Sequence, residues 1–180
     1  MNKKIIGVVS VIGITLFGCV LYAQKDKLLK PTDYKITQIQ KVQLDKKMED
    51  KSSFLLVHGD KTDDKTILLK KIIKESNVKI KYDILFFDTN YYTSILKKDN
   101  ATAKEIQDGV NDMTRYLSTY KVKSLPSISF VSKGEVKQNS GKFINDKFSQ
   151  TPTKKEKKQF KKESTTLINK WLKQIDKKTS

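Results

Sequence analysis

Charge is absent from Ile5 to Ala23, and beyond that run the apolar residues break into short alternating or helically spaced groups. Residues 24–33 are mostly polar, contain Pro31 and show neither period, which reads as a tether. Alternation at Tyr34, Ile36 and Ile39 predicts a short strand over 34–39. Val42, Leu44 and Met48 then predict a short helix over 41–51. The compact run Phe54-Leu55-Leu56-Val57 predicts a strand buried on both faces. It gives way to a polar, turn-rich stretch, 58–65. Leu68, Leu69, Ile72 and Ile73 place a helix over 66–76, and alternation returns through Ile80, Tyr82, Ile84 and Phe86 as a strand over 78–87. Asp88-Thr89-Asn90 ends it.

A longer helix opens at Asn100-Ala101-Thr102 and carries Ile106, Val110, Met113, Leu117 and Tyr120 at three- and four-residue steps. Residues 127–132 predict a strand, Lys133-Gly134 a tight turn, and 135–138 its antiparallel partner. A final helix over 161–177 uses Leu167, Ile168, Trp171, Leu172 and Ile175. Strands alternating with helices and closed by a hairpin and a helix predict an α/β fold. Its expected form is a mixed sheet with helices on both faces.

The apolar run sets the expected compartment. Nineteen residues in a helix cover about 28 Å, close to the thickness of a bilayer's hydrocarbon. That is long for the apolar part of a cleaved signal, which spans about 7–15 residues. The first reading is a signal anchor crossing the membrane through residues 5–23, with Lys3 and Lys4 inside and residues 34–180 as an extracytoplasmic domain. The second is a lipoprotein, because Leu16-Phe17-Gly18-Cys19 resembles a bacterial lipobox with Cys19 as the lipidated residue. The third is cleavage after Ala23 and secretion. Against the lipoprotein, Val20-Leu21-Tyr22-Ala23 stay apolar after the cysteine.

Composition narrows the chemistry. The 180 residues hold one Cys and one His, which excludes an intramolecular disulfide, a CxxC dithiol, a thiolate zinc site and any multi-histidine metal site. No metal or cofactor is expected, and no enzyme activity. The 37 basic residues outnumber the 20 acidic ones for a net charge of +17, and all but Arg115 are lysines. Lysine lacks the planar fork that reads base edges, so the charge predicts diffuse attraction to polyanions and no specific nucleic-acid recognition. The densest basic run, 154–162, reads as a solvated helix face, with contact to an anionic envelope polymer or to lipid headgroups as the alternative.

The element order resembles that of the thioredoxin-like superfamily, and one segment carries the resemblance further. Tyr120-Lys121-Val122-Lys123-Ser124-Leu125-Pro126-Ser127-Ile128-Ser129-Phe130-Val131-Ser132-Lys133-Gly134 is similar, without a gap, to the stretch around that family's cis-proline. A proline at the first residue of a strand costs no ladder hydrogen bond. Phe54 to Gly59 resembles the strand leading into the family's active site. The apolar leader and the extra sequence before the long helix are similar to bacteriocin transport accessory proteins.

The resemblance implies a redox motif that this chain lacks. Placing Leu69, Ile72 and Ile73 on the family's core face puts Asp63 and Thr66 in the cysteine slots; a shorter spacing counted from Gly59 puts Thr62 and Lys65 there. The first register is preferred, since the second turns Lys71 and Glu75 inward. Neither contains sulfur, so redox activity does not carry over. What the resemblance does imply is a groove for an extended peptide, paired by the main chain at Leu125, shaped by Pro126 and lined by residues 58–66.

The expected binding residues are therefore His58, Thr62, Asp63, Asp64, Thr66, Leu125 and Pro126. Asp63 and Asp64 also suit capping of the helix that follows. His58 reads as a loop-edge residue, with a titrating switch as its sharper alternative. Tyr91 and Tyr92 follow the third strand as core or loop packing, or as contacts. The functional expectation is a redox-inactive adaptor at the outer face of the membrane, accessory to an export or envelope machine. The alternative is a basic envelope or immunity factor acting through polyanion attraction.

Overall fold

A computed structural model describes residues 34–95, 98–150 and 152–178. The leader, the tether and Cys19 lie outside the described residues. Among the described residues no helix is long and apolar enough to cross a membrane.

Elements run β1 (Ile36–Ile39), α1 (Lys41–Glu49), β2 (Phe54–Gly59), α2 (Asp64–Lys74), β3 (Asp83–Asp88), a single turn α3 (Asn90–Thr93), α4 (Ala103–Thr119), β4 (Ser127–Ser132) and β5 (Glu135–Asn139). A short 3-10 turn (Asp146–Ser149) and α5 (Lys154–Lys178) complete the chain. The five strands form one sheet in the order β1-β3-β2-β4-β5. β1, β3 and β2 are parallel, whereas β4 runs antiparallel to β2 and β5 antiparallel to β4. The α/β mixed sheet expected from the sequence is present.

β2 is the central strand, paired on both edges, and all six of its residues are buried. Alternation sends Leu55 and Val57 to one face. There they meet Ile84, Phe86, Ile128 and Phe130 from neighbouring strands, Leu69, Ile72 and Ile73 of α2, and Ile168, Trp171, Leu172 and Ile175 of α5. Phe54 and Leu56 point to the other face, against Leu85, Phe87, Val131, Leu44 of α1 and Tyr116 of α4. Each fully buried Leu, Ile or Phe contributes about 1.5–3 kcal/mol relative to an exposed one, so both faces hold the sheet.

Three boundaries differ from the sequence pattern. β3 begins at Asp83, not Val78, because β2 starts opposite it: Phe54 pairs with Asp83 and offers no ladder further back. Ile80 and Tyr82 still pack on the core, so alternation reported their burial and not their pairing. β2 runs two residues further than expected, through His58 and Gly59. α5 begins at Lys154, where Thr153 and Glu156 exchange hydrogen bonds in a capping box: Glu156 N–H donates to Thr153 Oγ1 (3.3 Å) and Thr153 N–H to Glu156 Oε2 (2.8 Å). The basic run 154–162 is thus helical, and its lysines are exposed except for half-buried Lys161.

The β4–β5 hairpin turns at Lys133 and Gly134 with φ of 55° and 72°. Two positive φ values at the central residues match the right-handed twist of the flanking strands. A Cβ at Gly134 would lie 2.3 Å from the Met48 carbonyl oxygen, so the turn also packs tightly against the end of α1.

Candidate functional site

Ligands of open α/β sheets settle outside the carboxyl ends of parallel strands, where adjacent strands send their helices to opposite faces. Here that place is the pair β2/β3. β2 leads into α2 on one face, while β3 leads into α3 and α4 on the other. The loop after β2 is stitched to the end of β3: Thr89 N–H donates to Gly59 O (3.0 Å) and Lys61 N–H to Asp88 Oδ1 (3.2 Å). Lys61 Nζ stands 3.6 Å from Asp88 Oδ2, and Asn90 N–H also donates to Oδ1 (3.1 Å).

Within the loop the polar side chains satisfy the main chain. Asp60 Oδ1 accepts from Thr62 N–H (2.8 Å) and Thr62 Oγ1 (2.7 Å). Asp63 is the N-cap of α2: its Oδ2 accepts from Thr66 N–H (2.9 Å) and Thr66 Oγ1 (3.1 Å). Asp64 occupies the exposed first turn, where a carboxylate suits the positive end of the helix. Replacing Asp63 by alanine is expected to destabilise the domain by about 1 kcal/mol, read from the urea midpoint, whereas Asp63→Asn stays within a few tenths. Among the described residues no three His, Cys, Asp or Glu side chains gather as metal ligands.

Thr66, Gly59 and Pro126 meet. Thr66 is buried on α2, and a Cβ at Gly59 would lie 2.4 Å from Thr66 Oγ1 and 3.2 Å from Pro126 Cβ. Pro126 is buried immediately before β4, and the Leu125–Pro126 peptide is cis. The preceding Lys123, Ser124 and Leu125 make no main-chain hydrogen bond among the described residues. Ser124 Oγ is buried there without a partner as well. Leu125 itself is half-buried against the α4 side of the core.

Six of the seven expected binding residues therefore sit around the carboxyl end of β2 and the start of β4. His58 does not line this surface. It is fully buried on β2, facing the α4 side of the sheet, 2.6 Å through Nδ1 from Tyr116 Oη and 2.8 Å through Nε2 from Ser129 Oγ. The loop-edge reading is corrected: partners distant in sequence satisfy both ring nitrogens, so a polar residue becomes core.

The hydrogen-bond directions fix its tautomer. The Tyr120 carbonyl can only accept, so Ser129 Oγ donates its single proton there (3.0 Å). Ser129 Oγ then accepts from Asn139 Nδ2 (2.9 Å) and from His58 Nε2–H. His58 Nδ1 is left to accept from the Tyr116 hydroxyl. Burial holds the imidazole neutral, its pKa lowered from 6.5 to about 3. Burial also pushes the Tyr116 and Tyr120 phenols upward, and Tyr92 up to about 12 with help from Tyr91 and nearby carboxylates.

A second concavity, which no spacing pattern announces, lies on the β1 side of the same sheet end. An open cleft of about 520 Å³ lies among Ile39, Val42, Lys61, Phe87, Asp88 and Tyr91, residues drawn from three separate stretches of the chain. Val42 and Tyr91 are 79% and 63% exposed and give it an apolar rim; Tyr92 is buried beside them. Only the rule about carboxyl ends of parallel strands could have pointed there.

Neither the protein-family models nor the curated proteins contain a match to this chain.

Proposed function

We propose that this chain is a redox-inactive binding module of thioredoxin-like build that holds an extended peptide or protein segment along Lys123–Leu125. The carrying observation is that the main chain of those three residues has no partner among the described residues, directly before Pro126 and beside the Gly59–Thr66 loop. A row of free N–H and C=O groups next to a strand start is what strand addition uses, and pockets beside it read side chains. The thioredoxin-like build is supported by the element order and by the meeting of Thr66 with Pro126 across Gly59. In the preferred register Asp63 and Thr66 occupy the lost cysteine positions, where they cap a helix and do no sulfur chemistry. The apolar leader 5–23 and the resemblance to transport accessory proteins support a module held outside the membrane and serving an export or envelope machine.

The test is photocrosslinking of the full chain in producing cells. Probes replace Thr62 and Lys123, both exposed, with Lys157 on α5 as the control. The reading expects one discrete protein adduct shared by Thr62 and Lys123 and absent at Lys157. Adducts from Lys157 alone, or an indiscriminate ladder from all three, would sink it.

A further inference from the structure

The positive charge is unevenly placed. α5 alone carries ten lysines against three acidic residues. Its Ser164, Ile168, Trp171, Leu172 and Ile175 are buried, so the remaining surface of the helix faces solvent. Along that surface runs an open groove of about 590 Å³, lined by Asn77 from the α2–β3 connection and by Asn169, Lys170, Lys173, Gln174 and Lys177.

Lys170, Lys173 and Lys177 follow at i, i+3 and i+7, one side of a helix over about 10 Å of its length. None of the three forms an ion pair among the described residues, whereas Lys161, Lys71 and Lys81 on neighbouring surfaces all do. Like charges at this spacing destabilise a helix by a few tenths of a kcal/mol per pair, a cost that a bound polyanion removes. No carboxylate lines the groove. Asn169 Oδ1 is already committed to Ser76 Oγ (2.8 Å), which leaves its two amide protons as donors. The lining therefore offers point cations and N–H donors.

It also lacks two things. There is no aromatic ring on which a nucleobase could stack, and no arginine fork to read base edges. Nor is there an aliphatic or aromatic side chain to enter a lipid interface. We propose that this groove binds a flexible linear polymer of phosphate diesters that carries no bases, such as a polyol phosphate chain. It lies apart from Lys123–Leu125 and does not depend on the peptide reading.

The probe is a synthetic glycerol phosphate oligomer titrated into the full chain at several salt concentrations. Lys170→Gln/Lys173→Gln/Lys177→Gln is expected to weaken binding roughly tenfold and to lower the salt slope by about 2, as for three lost phosphate contacts. The control Lys154→Gln/Lys155→Gln/Lys157→Gln removes the same charge from the same helix and is expected to change binding less than about threefold. All six lysines are exposed, so both variants keep the fold. Equal losses in the two variants would overturn the proposal in favour of a diffuse field. Tighter binding of an equally charged oligothymidylate would overturn it for nucleic acid. A groove-dependent preference for anionic over neutral vesicles, exceeding that for the oligomer, would overturn it for a membrane surface.

Discussion

Replacing His58 by leucine is expected to destabilise the domain by about 3 kcal/mol, because the Tyr116 hydroxyl is then buried without an acceptor. Ser129 keeps Tyr120 and Asn139 as partners, so the penalty belongs to Tyr116. The double variant His58→Leu/Tyr116→Phe removes both members of the pair and should recover at least about 1 kcal/mol relative to the sum of the single losses. Urea unfolding of the four proteins reads this directly. Additive losses would mean that the two side chains do not share a bond.

The same residue governs acid stability. Its folded pKa of about 3 lies below the unfolded value near 6.5. Between those values the unfolded chain takes up a proton that the folded one refuses, so stability falls as the pH falls through that window. The loss amounts to about 4 kcal/mol by pH 3, comparable with the whole stability of a small domain. Above pH 6.5 the imidazole contributes no slope. In His58→Leu/Tyr116→Phe the decline between pH 6.5 and 3 should flatten, leaving only the carboxylates.

Gly59→Ala is expected to cost about 2–3 kcal/mol, since the new methyl would sit 2.4 Å from Thr66 Oγ1 and 2.9 Å from Thr66 Cγ2. Thr66→Ala deletes both atoms and leaves Pro126 Cβ, at 3.2 Å, as the nearest contact, which a shift of a few tenths of an ångström accommodates. The double variant should therefore be more stable than the two single losses predict, even though Thr66→Ala also forfeits its bond to Asp63. Strict additivity, or a neutral Gly59→Ala, would show that β2, α2 and the Pro126 loop are not packed through this one point.

Much of the fold was legible because alternation and helical spacing report burial. All five strands and the four longer helices overlap the spans those patterns predict, although β3 starts later, β2 ends later and α5 starts earlier than they place them. The patterns are silent about what does the burying. Val78, Ile80 and Tyr82 alternate like a strand yet have no neighbour to pair with, and Ile106 and Val110 keep helical spacing while staying 38% and 44% exposed. Phe143 and Ile144 belong to the core although the surrounding sequence is polar. At the site, the run through Pro126 was readable because its residues are contiguous. The Lys61–Tyr91 cleft and the His58 network were not, because each is assembled from segments tens of residues apart.

The two ends of α4 differ in how they are held. Tyr116, with Tyr120 just past the end, enters the aromatic core, while none of residues 103–115 is buried and Gly109 rests against Ile95 and the Tyr92 carbonyl. Mechanically the helix is a beam clamped at its carboxyl end. A sideways load on its amino end acts with a long arm about Tyr116, whose hydroxyl is the proton donor to His58. Amide exchange along this one helix should therefore slow steadily from Lys104 towards Thr119.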